Sequence, residues 1–235
     1  MKNINVEYQV SERESRTVEA IDWKVHDTWD EDRPGNIEFN PPIDEKKADI
    51  ALIKLKDPIR DQIRYATLPE PDERIKVQEK VHFAGYGSSH GGKTGEFTQG
   101  SQHKLPVLYC WLMESFSNGI FRMKKENNFT DRQLAKKVEK QVIKKKFTRE
   151  DYREKEKEYP GLICTGVLHW NGTTSYTGGG DSGCGLFVPG KDTVYGVNSY
   201  QCEVADNKQA QFLNPTGWAK VSAHVGWIKS TIWQR

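Results

Sequence analysis

The sequence predicts an all-β protein with one helical insertion and a helix at its end. Short apolar or alternating runs recur along the 235 residues, and 20 glycines and 10 prolines are spread among them. Runs of this kind, separated by turn-forming residues, are typical of strands joined by frequent turns. The chain is long enough to enclose a sizeable core as one large domain or two small lobes.

The first half of the chain supplies most of the predicted strands. The segment ADIALIKL is a short apolar run of the kind that forms a buried strand. A polar, proline-bearing loop is expected before it, over residues 30–47. Strands in this half are predicted at residues 6–10, 17–26, 48–55, 81–87 and 104–113.

Residues 124–160 differ from the rest because they are dense in charged side chains. Thr130 and Gln133 have the spacing of a helix-capping box, and an apolar residue then recurs every fourth position. A second short helix is expected to be capped by Thr148 and Asp151 and to end at Pro160. We interpret the segment as a solvated helical insertion. A basic surface for an acidic partner is the alternative, which the interleaved acidic residues disfavour.

Beyond Pro160 the pattern returns to strands, predicted at GLICTGVLHW, CGLFV and TVYGVNSY. The last segment, residues 224–233, is expected to be helical, because Val225, Ile228 and Ile232 fall on one helix face.

Composition excludes several classes of protein. The formal net charge of +2 gives no reason to expect a nucleic-acid partner, and no apolar run approaches the roughly 20 residues of a membrane span. The N-terminal residues lack the apolar core of a signal peptide. Four cysteines allow three pairings and favour an oxidising compartment, although no export signal is visible. They lack C-x-x-C spacing, so no metal site is predicted.

The segment TGGGDSGCGLF has the features of a nucleophile loop. Ser182 would need a base to remove its proton, and backbone N–H groups in a tight glycine turn would stabilise the oxyanion that forms. Gly180 and Gly183 permit such a turn. Taken alone, the tetrapeptide GDSG is equally compatible with a surface turn.

Five other segments, in order, resemble the trypsin/chymotrypsin family of serine proteases: ADIALIKL, HFAGYG, GLICTG, GVNSY and NPTGWAKVSAHVGWIKSTI. The resemblance covers most of residues 4–232 apart from the insertion. It implies a single trypsin-like domain over residues 1–235, a double six-stranded β-barrel whose first barrel is incomplete. Residues 1–80 would form the partial first barrel. Residues 81–235 would form the second, with the insertion at about 114–160.

The resemblance also implies roles for individual residues. Ser182 would be the nucleophile, Asp49 the aspartate that orients the catalytic histidine, and the N–H groups of Gly180 and Ser182 the oxyanion hole. Asp181 would accept the N-terminal ammonium that zymogen cleavage creates. The substrate cleft would be lined by Tyr176, Ser199, Tyr200 and Thr216. No acidic residue lies between His169 and Asp181, so cleavage after Lys or Arg is not supported.

The catalytic histidine is the missing part of this pattern. The family carries it in a TAAHC-like motif that precedes the strands with which this chain begins. None of the six histidines matches that motif. We therefore expect an incomplete chain of an active protease, in preference to a shortened pseudoprotease.

The cysteines fit the family in part. The resemblance implies a disulfide between Cys110 and Cys164, around the loop that holds the insertion. Cys184, beside the nucleophile, would be free or paired with Cys202.

The function implied is that of a secreted serine endopeptidase acting on protein or peptide substrates without a cofactor. The chain itself would be nearly inactive, because it lacks the base. A protein inhibitor or partner would bind at the charged insertion, and Asn128 and Asn171 head glycosylation sequons. A secreted pseudoprotease that binds proteins is the alternative, and an unrelated intracellular β protein is a third interpretation.

Overall fold

The computed structural model describes residues 4–11, 14–28, 48–61, 63–87, 97–110, 147–166, 177–201 and 215–233. Within them the chain forms two β-sheets, two helices and a helical turn at residues 107–110. The strands are β1 (Asn5–Ser11), β2 (Glu14–Val25), β3 (Ala51–Leu55), β4 (Lys80–Gly85), β5 (Thr98–Leu105), β6 (Leu162–Gly166), β7 (Gly185–Phe187), β8 (Val194–Gln201) and β9 (Thr216–Lys220). The helices are α1 (Arg149–Glu158) and α2 (Val221–Trp233). No helix in these ranges is long and apolar enough to cross a membrane.

The first sheet is an incomplete one, as the sequence predicted. Strands β1, β2 and β3 pair antiparallel in that order. One face carries exposed apolar side chains: Ile21, Trp23 and Ile53 are 53%, 44% and 49% exposed, and Trp23 lies opposite Ile53. Because side chains alternate between the two faces of a strand, these apolar residues share one face of the sheet, and that face is exposed.

The second sheet closes into a six-stranded barrel in the order β4-β5-β6-β9-β8-β7. Its core is an apolar cluster that includes Val81, Phe83, Leu186 and Trp218, which are 0% to 3% exposed. A chain of buried polar side chains joins three neighbouring strands of the same barrel, β9, β6 and β5: Trp218 Nε1 donates to Thr165 Oγ1 at 2.7 Å, and Thr165 Oγ1 donates to Gln102 Oε1. Apolar packing therefore fills the barrel, and the polar side chains of Trp218, Thr165 and Gln102 satisfy one another within it.

The two sheets and α2 share a further apolar cluster. Ala48 and Ile50, just before β3, pack with Ala219, Val221 and Ile228. This contact fixes the segment 48–50 against the barrel, which matters for the position of Asp49.

The two described helices follow from local signals. Thr148 Oγ1 accepts from the Asp151 N–H at 3.2 Å, and the Asp151 carboxylate accepts from the Thr148 N–H at 2.6 Å. This is the capping box that the sequence predicted, and α1 ends before Pro160 as expected. Helix α2 begins at Val221, three residues before the predicted start. The helix expected after Thr130 lies outside the described residues.

Around Pro106 one strand prediction was wrong, and one strand was not predicted. The strand expected over residues 104–113 ends at Leu105, and residues 107–110 are helical. Proline has no N–H for a sheet ladder and is well suited to the first turn of a helix, so the strand stops there. Strand β5 was missed because TQGSQHKL is polar, and its buried Gln102 is identifiable as a core residue only from its hydrogen-bond partners on β6 and β9, Thr165 and Thr216, which are distant in sequence.

The disulfide between Cys110 and Cys164 is present, with both residues fully buried and the Cα atoms 5.8 Å apart. It connects the helical turn at residues 107–110 to β6. Leu105, Tyr109 and Leu162 pack around it.

His224, on α2, is expected to make the protein less stable in acid. Its ring lies 5.0 Å from that of His26, and its Nε2 is buried without a hydrogen-bond partner in the described ranges. Burial, followed by the charge of His26, lowers the pKa of His224 to about 4. The unfolded chain therefore binds more protons between pH 6.5 and 4, and stability falls as the pH falls through that window.

Solvent reaching the half-buried ring screens this effect, so we expect a loss of about 2 kcal/mol between pH 6.5 and 4. Denaturant unfolding at stepped pH would measure it. The variant His224→Gln should have a shallower slope. His82→Gln should flatten the slope less, because burial and then the charge of Lys80 lower the pKa of this exposed β4 residue by a smaller amount. Equal slopes for the two variants would refute the assignment.

Candidate functional site

The loop before β7 consists of two consecutive tight turns. The Asp181 N–H donates to Gly178 O at 3.1 Å, and the Cys184 N–H donates to Asp181 O at 3.0 Å. The third residue of each turn is a glycine with positive φ, 101° at Gly180 and 86° at Gly183. An L side chain at either position would strain the backbone, so the spacing of the glycines determines the shape of this loop.

Ser182 lies at the second position of the second turn and is exposed. Its hydroxyl makes no hydrogen bond within the described ranges. The N–H groups of Gly180 and Ser182 likewise donate to no acceptor among the described residues. A hydroxyl and two backbone donors are therefore accessible in one loop, which is the composition of a nucleophile with an oxyanion hole.

Asp181, between these residues, points the opposite way and is 2% exposed. Its carboxylate accepts from the N–H groups of Gly87 and Gly178, both at 2.8 Å. A Cβ atom added at Gly85 or Gly87 would lie 2.2 Å or 2.4 Å from the nearest atom of this carboxylate. Gly85, the last residue of β4, and Gly87 thus make room for the buried aspartate, and backbone amides satisfy it.

Asp49 is placed by the buried residues on either side of it, Ala48 and Ile50. Its Oδ2 accepts from Ser199 Oγ on β8 at 2.7 Å, across 150 positions of sequence. The hydrogen bond orients the carboxylate and joins the first sheet to the barrel. Two of the residues predicted from the sequence, Asp49 and Ser199, are therefore brought together.

Strand β8 also holds the nucleophile loop. The Gly183 N–H donates to Asn198 O at 2.9 Å, and the Asn198 N–H donates to Cys184 O at 2.8 Å. The Asn198 side chain donates to Asp181 O at 2.9 Å. Sequence reasoning gave Asn198 no role of its own. The available signal was a buried-strand segment, TVYGVNSY, that contains an asparagine, because asparagine is depleted in strands.

The histidines described by the structure lie elsewhere. His26 and His224 contact each other, and the His26 ring also packs 4.8 Å from that of Trp227. His82 and His103 lie on the paired strands β4 and β5. None of these four histidines hydrogen bonds to Asp49 or Ser182. His90 and His169 lie outside the described residues.

The residues predicted to line a substrate cleft occupy different environments. Ser199 and Tyr200 are half-buried on β8, and the Tyr200 ring covers Gly217, where an added Cβ would lie 2.1 Å from it. Thr216 is fully buried, and its hydroxyl lies 3.0 Å from that of Thr177. Tyr176 lies outside the described residues.

Cys184 is a free, half-buried thiol beside Ser182. Burial, followed by the charge of Asp181, raises the pKa of this thiol to about 12. The thiolate is the nucleophilic form of cysteine, so Cys184 is not a competing nucleophile at neutral pH. Its suggested partner, Cys202, is outside the described residues. The described part of the chain contains no group of three or more His, Cys, Asp or Glu residues placed to hold a metal ion.

Comparison with known proteins bears on the family and the fold. The model of the Trypsin family matches residues 1–115. The structure is similar to that of neuropsin, a serine protease expressed in the limbic system of mouse brain. The TM-score is 0.55 and the identity 16%, over 93% of this chain and 73% of that one. It is also similar to kallikrein-related peptidase 10, with a TM-score of 0.51 and 13% identity over 94% and 75% of the two chains. No curated protein matches the sequence. At these identities the structural likeness establishes the fold.

Proposed function

We propose that this chain, which belongs to the trypsin-like serine protease family, carries the nucleophile of a serine endopeptidase. The observation that supports this most directly is the exposed Ser182 hydroxyl beside two unengaged backbone N–H groups. Protein substrates are the class that the family suggests. We further propose that the chain forms one trypsin-like domain and acts outside the cell, in keeping with its disulfide.

The proposed reaction is acyl transfer. Ser182 Oγ attacks the carbonyl carbon of the scissile peptide bond, and its proton passes to a general base. The negative charge on the substrate oxygen is stabilised by the N–H groups of Gly180 and Ser182. The C–N bond then breaks, the base protonates the leaving amine, and water hydrolyses the acyl-enzyme. Asp49, held by Ser199, would orient a histidine acting as that base.

In this proposal the rate of peptide hydrolysis depends on whether a general base is present beside Ser182. No described histidine touches Asp49 or Ser182, so we propose that the 235-residue chain is by itself nearly inactive. Loss of one triad member typically lowers the rate by about 10⁴- to 10⁶-fold. In the same proposal, Asp181 would accept an ammonium group through the remaining lone pairs of its carboxylate oxygens, each of which already accepts one backbone N–H.

The second candidate is a pseudoprotease that binds proteins without cleaving them. The observation that favours it is the same: the aspartate and the serine are in place while no described histidine accompanies them. In this case Ser199 and Tyr200 would contact a bound peptide, and Ser182 would not become acylated. A covalent readout distinguishes the two candidates.

We expect a peptide thioester to acylate Ser182 when imidazole is present in solution as an external base. Imidazole takes the proton of Ser182, and a thiolate leaves without needing one, so the chain has to supply only the nucleophile and the oxyanion hole. Intact-mass spectrometry should show one acyl group per chain, and peptide mapping should place it on Ser182. The adduct should be lost in Ser182→Ala.

The matched control is Ser230→Ala on α2, which removes another exposed hydroxyl and should leave acylation unchanged. Acylation that persists in Ser182→Ala would refute the assignment of the nucleophile. If the wild-type chain binds the peptide and is never acylated, the binding function is the correct one.

A further inference from the structure

Apart from the substrate cleft implied by the family resemblance, a cleft of about 990 Å³ lies between the barrel and α1. Its walls come from residues 73–77, the end of β5, helix α1, and strands β6 and β9. Ser182, Asp49 and Ser199 do not line it. Ligand binding in this cleft can therefore be tested independently of the proposed peptidase chemistry.

The charges in this cleft are unbalanced. Among the described lining residues, the two acidic side chains, Glu73 and Glu156, face six basic ones: Arg74, Lys104, Arg149, Arg153, Lys157 and Lys220. Three of the basic residues, at positions 149, 153 and 157, recur every four residues of α1 and so share one face of the helix. The interleaved acids of the sequence REDYREKEKE conceal this stripe when the segment is read as a charge total.

Both acidic side chains already have partners. Glu73 accepts from Lys191 Nζ at 2.9 Å and from the Tyr195 hydroxyl. Glu156 accepts from Lys104 Nζ at 3.4 Å and from the Val107 N–H at 3.2 Å. Neither carboxylate is therefore available to neutralise the remaining cations.

Four of the cations have no ion-pair partner among the described residues: Arg74, Arg149, Lys157 and Lys220. Lys220 is half-buried, and burial followed by the charge of Arg74 lowers its pKa. The positive charges of Lys220 and Arg74 lie on the same partly desolvated wall of the cleft, and a bound anion would reduce the repulsion between them. The cleft therefore carries an excess of positive charge, which a bound anion would neutralise.

Part of the cleft lining is apolar, and we call this part the floor. Ile75, Pro106, Pro160 and Leu162 contribute to it, and Val77 is 51% exposed. A ligand made solely of anionic groups would leave this surface in contact with water. A ligand with acidic and apolar side chains in alternation would satisfy both parts of the wall.

We propose that this cleft binds an acidic peptide segment of a partner protein, with carboxylates at Arg74, Lys220 and the α1 stripe and an apolar side chain on the floor. A sulfated glycan could supply the charge but has nothing to place against the apolar floor. The peptide is therefore the better match.

Fluorescence anisotropy with the full chain tests the proposal. The probes are four fluorescein-labelled ligands of similar length: an alternating Glu/Phe peptide, a Glu/Ser peptide, a Lys/Phe peptide and a heparin-derived oligosaccharide. The Glu/Phe peptide should bind at least about tenfold more tightly than the other three, and its affinity should fall as salt rises. The double variant Arg74→Gln/Lys220→Gln should weaken its binding by about tenfold or more.

The control variant is Arg60→Gln/Lys229→Gln, which removes the same charge from exposed positions outside the cleft. It should bind the Glu/Phe peptide like the wild type. Equal loss in both double variants would mean that net charge, rather than the cleft, attracts the probe. Equal or tighter binding of the oligosaccharide, or no binding of the Glu/Phe peptide at millimolar concentration, would also overturn the proposal.

Discussion

Replacement of Trp218 by alanine is expected to lower the free energy of unfolding by about 4 kcal/mol. The Trp218 side chain is fully buried in the barrel, and its ring lies 5.8 Å from that of Phe83. Alanine would leave a large cavity in a core where the neighbouring strands are fixed by closure of the sheet. It would also deprive the buried Thr165 hydroxyl of the indole N–H that donates to it.

Denaturant unfolding followed by circular dichroism measures this loss. Trp218→Phe retains most of the apolar volume and should lose less, about 1 to 2 kcal/mol, chiefly through the missing hydrogen bond. Trp23→Ala is the matched control, because that tryptophan lies on the open face of the first sheet and is 44% exposed. Comparable losses for Trp218→Ala and Trp23→Ala would contradict the buried core described above.

Local signals in the sequence predicted much of the fold because they act over a few residues. The capping box of Thr148 and Asp151 forms α1, and the apolar run ADIALIKL forms the segment that ends in β3. The overall architecture came from the resemblance to trypsin-like proteases, which the family match and the fold confirm. Strand β5 was missed for a physical reason, since its buried Gln102 is stabilised by Thr165 and Thr216, which are distant in sequence.

The candidate site likewise contains features that depend on local sequence and features that depend on long-range contacts. The glycine spacing around Ser182 is local, so the turn could be derived from the sequence. The contact between Asp49 and Ser199 spans 150 positions, and no spacing rule could predict it. The Gly87 amide that donates to Asp181 is likewise distant in sequence, 94 positions away. Long-range hydrogen bonds of this kind require the fold before they can be identified.

The charged insertion shows why composition alone is misleading. Within α1, five acidic side chains outnumber four basic ones, which favours a solvated surface when the charges are only summed. In the described helix, however, the bases at positions 149, 153 and 157 line the cleft, and Glu156 is occupied by Lys104 and the Val107 N–H. The side chains available to a ligand are therefore more basic than the total charge of the segment indicates.

Removal of the disulfide between Cys110 and Cys164 should lower the free energy of unfolding by about 4 kcal/mol. The two cysteines are 54 positions apart, and the bridge closes a long loop in the unfolded chain. In the chain-entropy model, a loop of this length loses much of its freedom when it is closed, so opening it stabilises the unfolded state. The folded state also loses packing, because Leu105, Tyr109 and Leu162 surround the bridge.

Denaturant unfolding of Cys110→Ala/Cys164→Ala, measured with and without a thiol reductant, tests this prediction. The double variant should be less stable than the wild type, and the reductant should not change its stability. Cys184→Ala is the control: it removes a free, half-buried thiol, so the stability should change by less than about 1 kcal/mol. If the double variant unfolds at the wild-type denaturant concentration, the loop that the disulfide closes is already ordered in the unfolded chain without it. The entropic account would then be wrong.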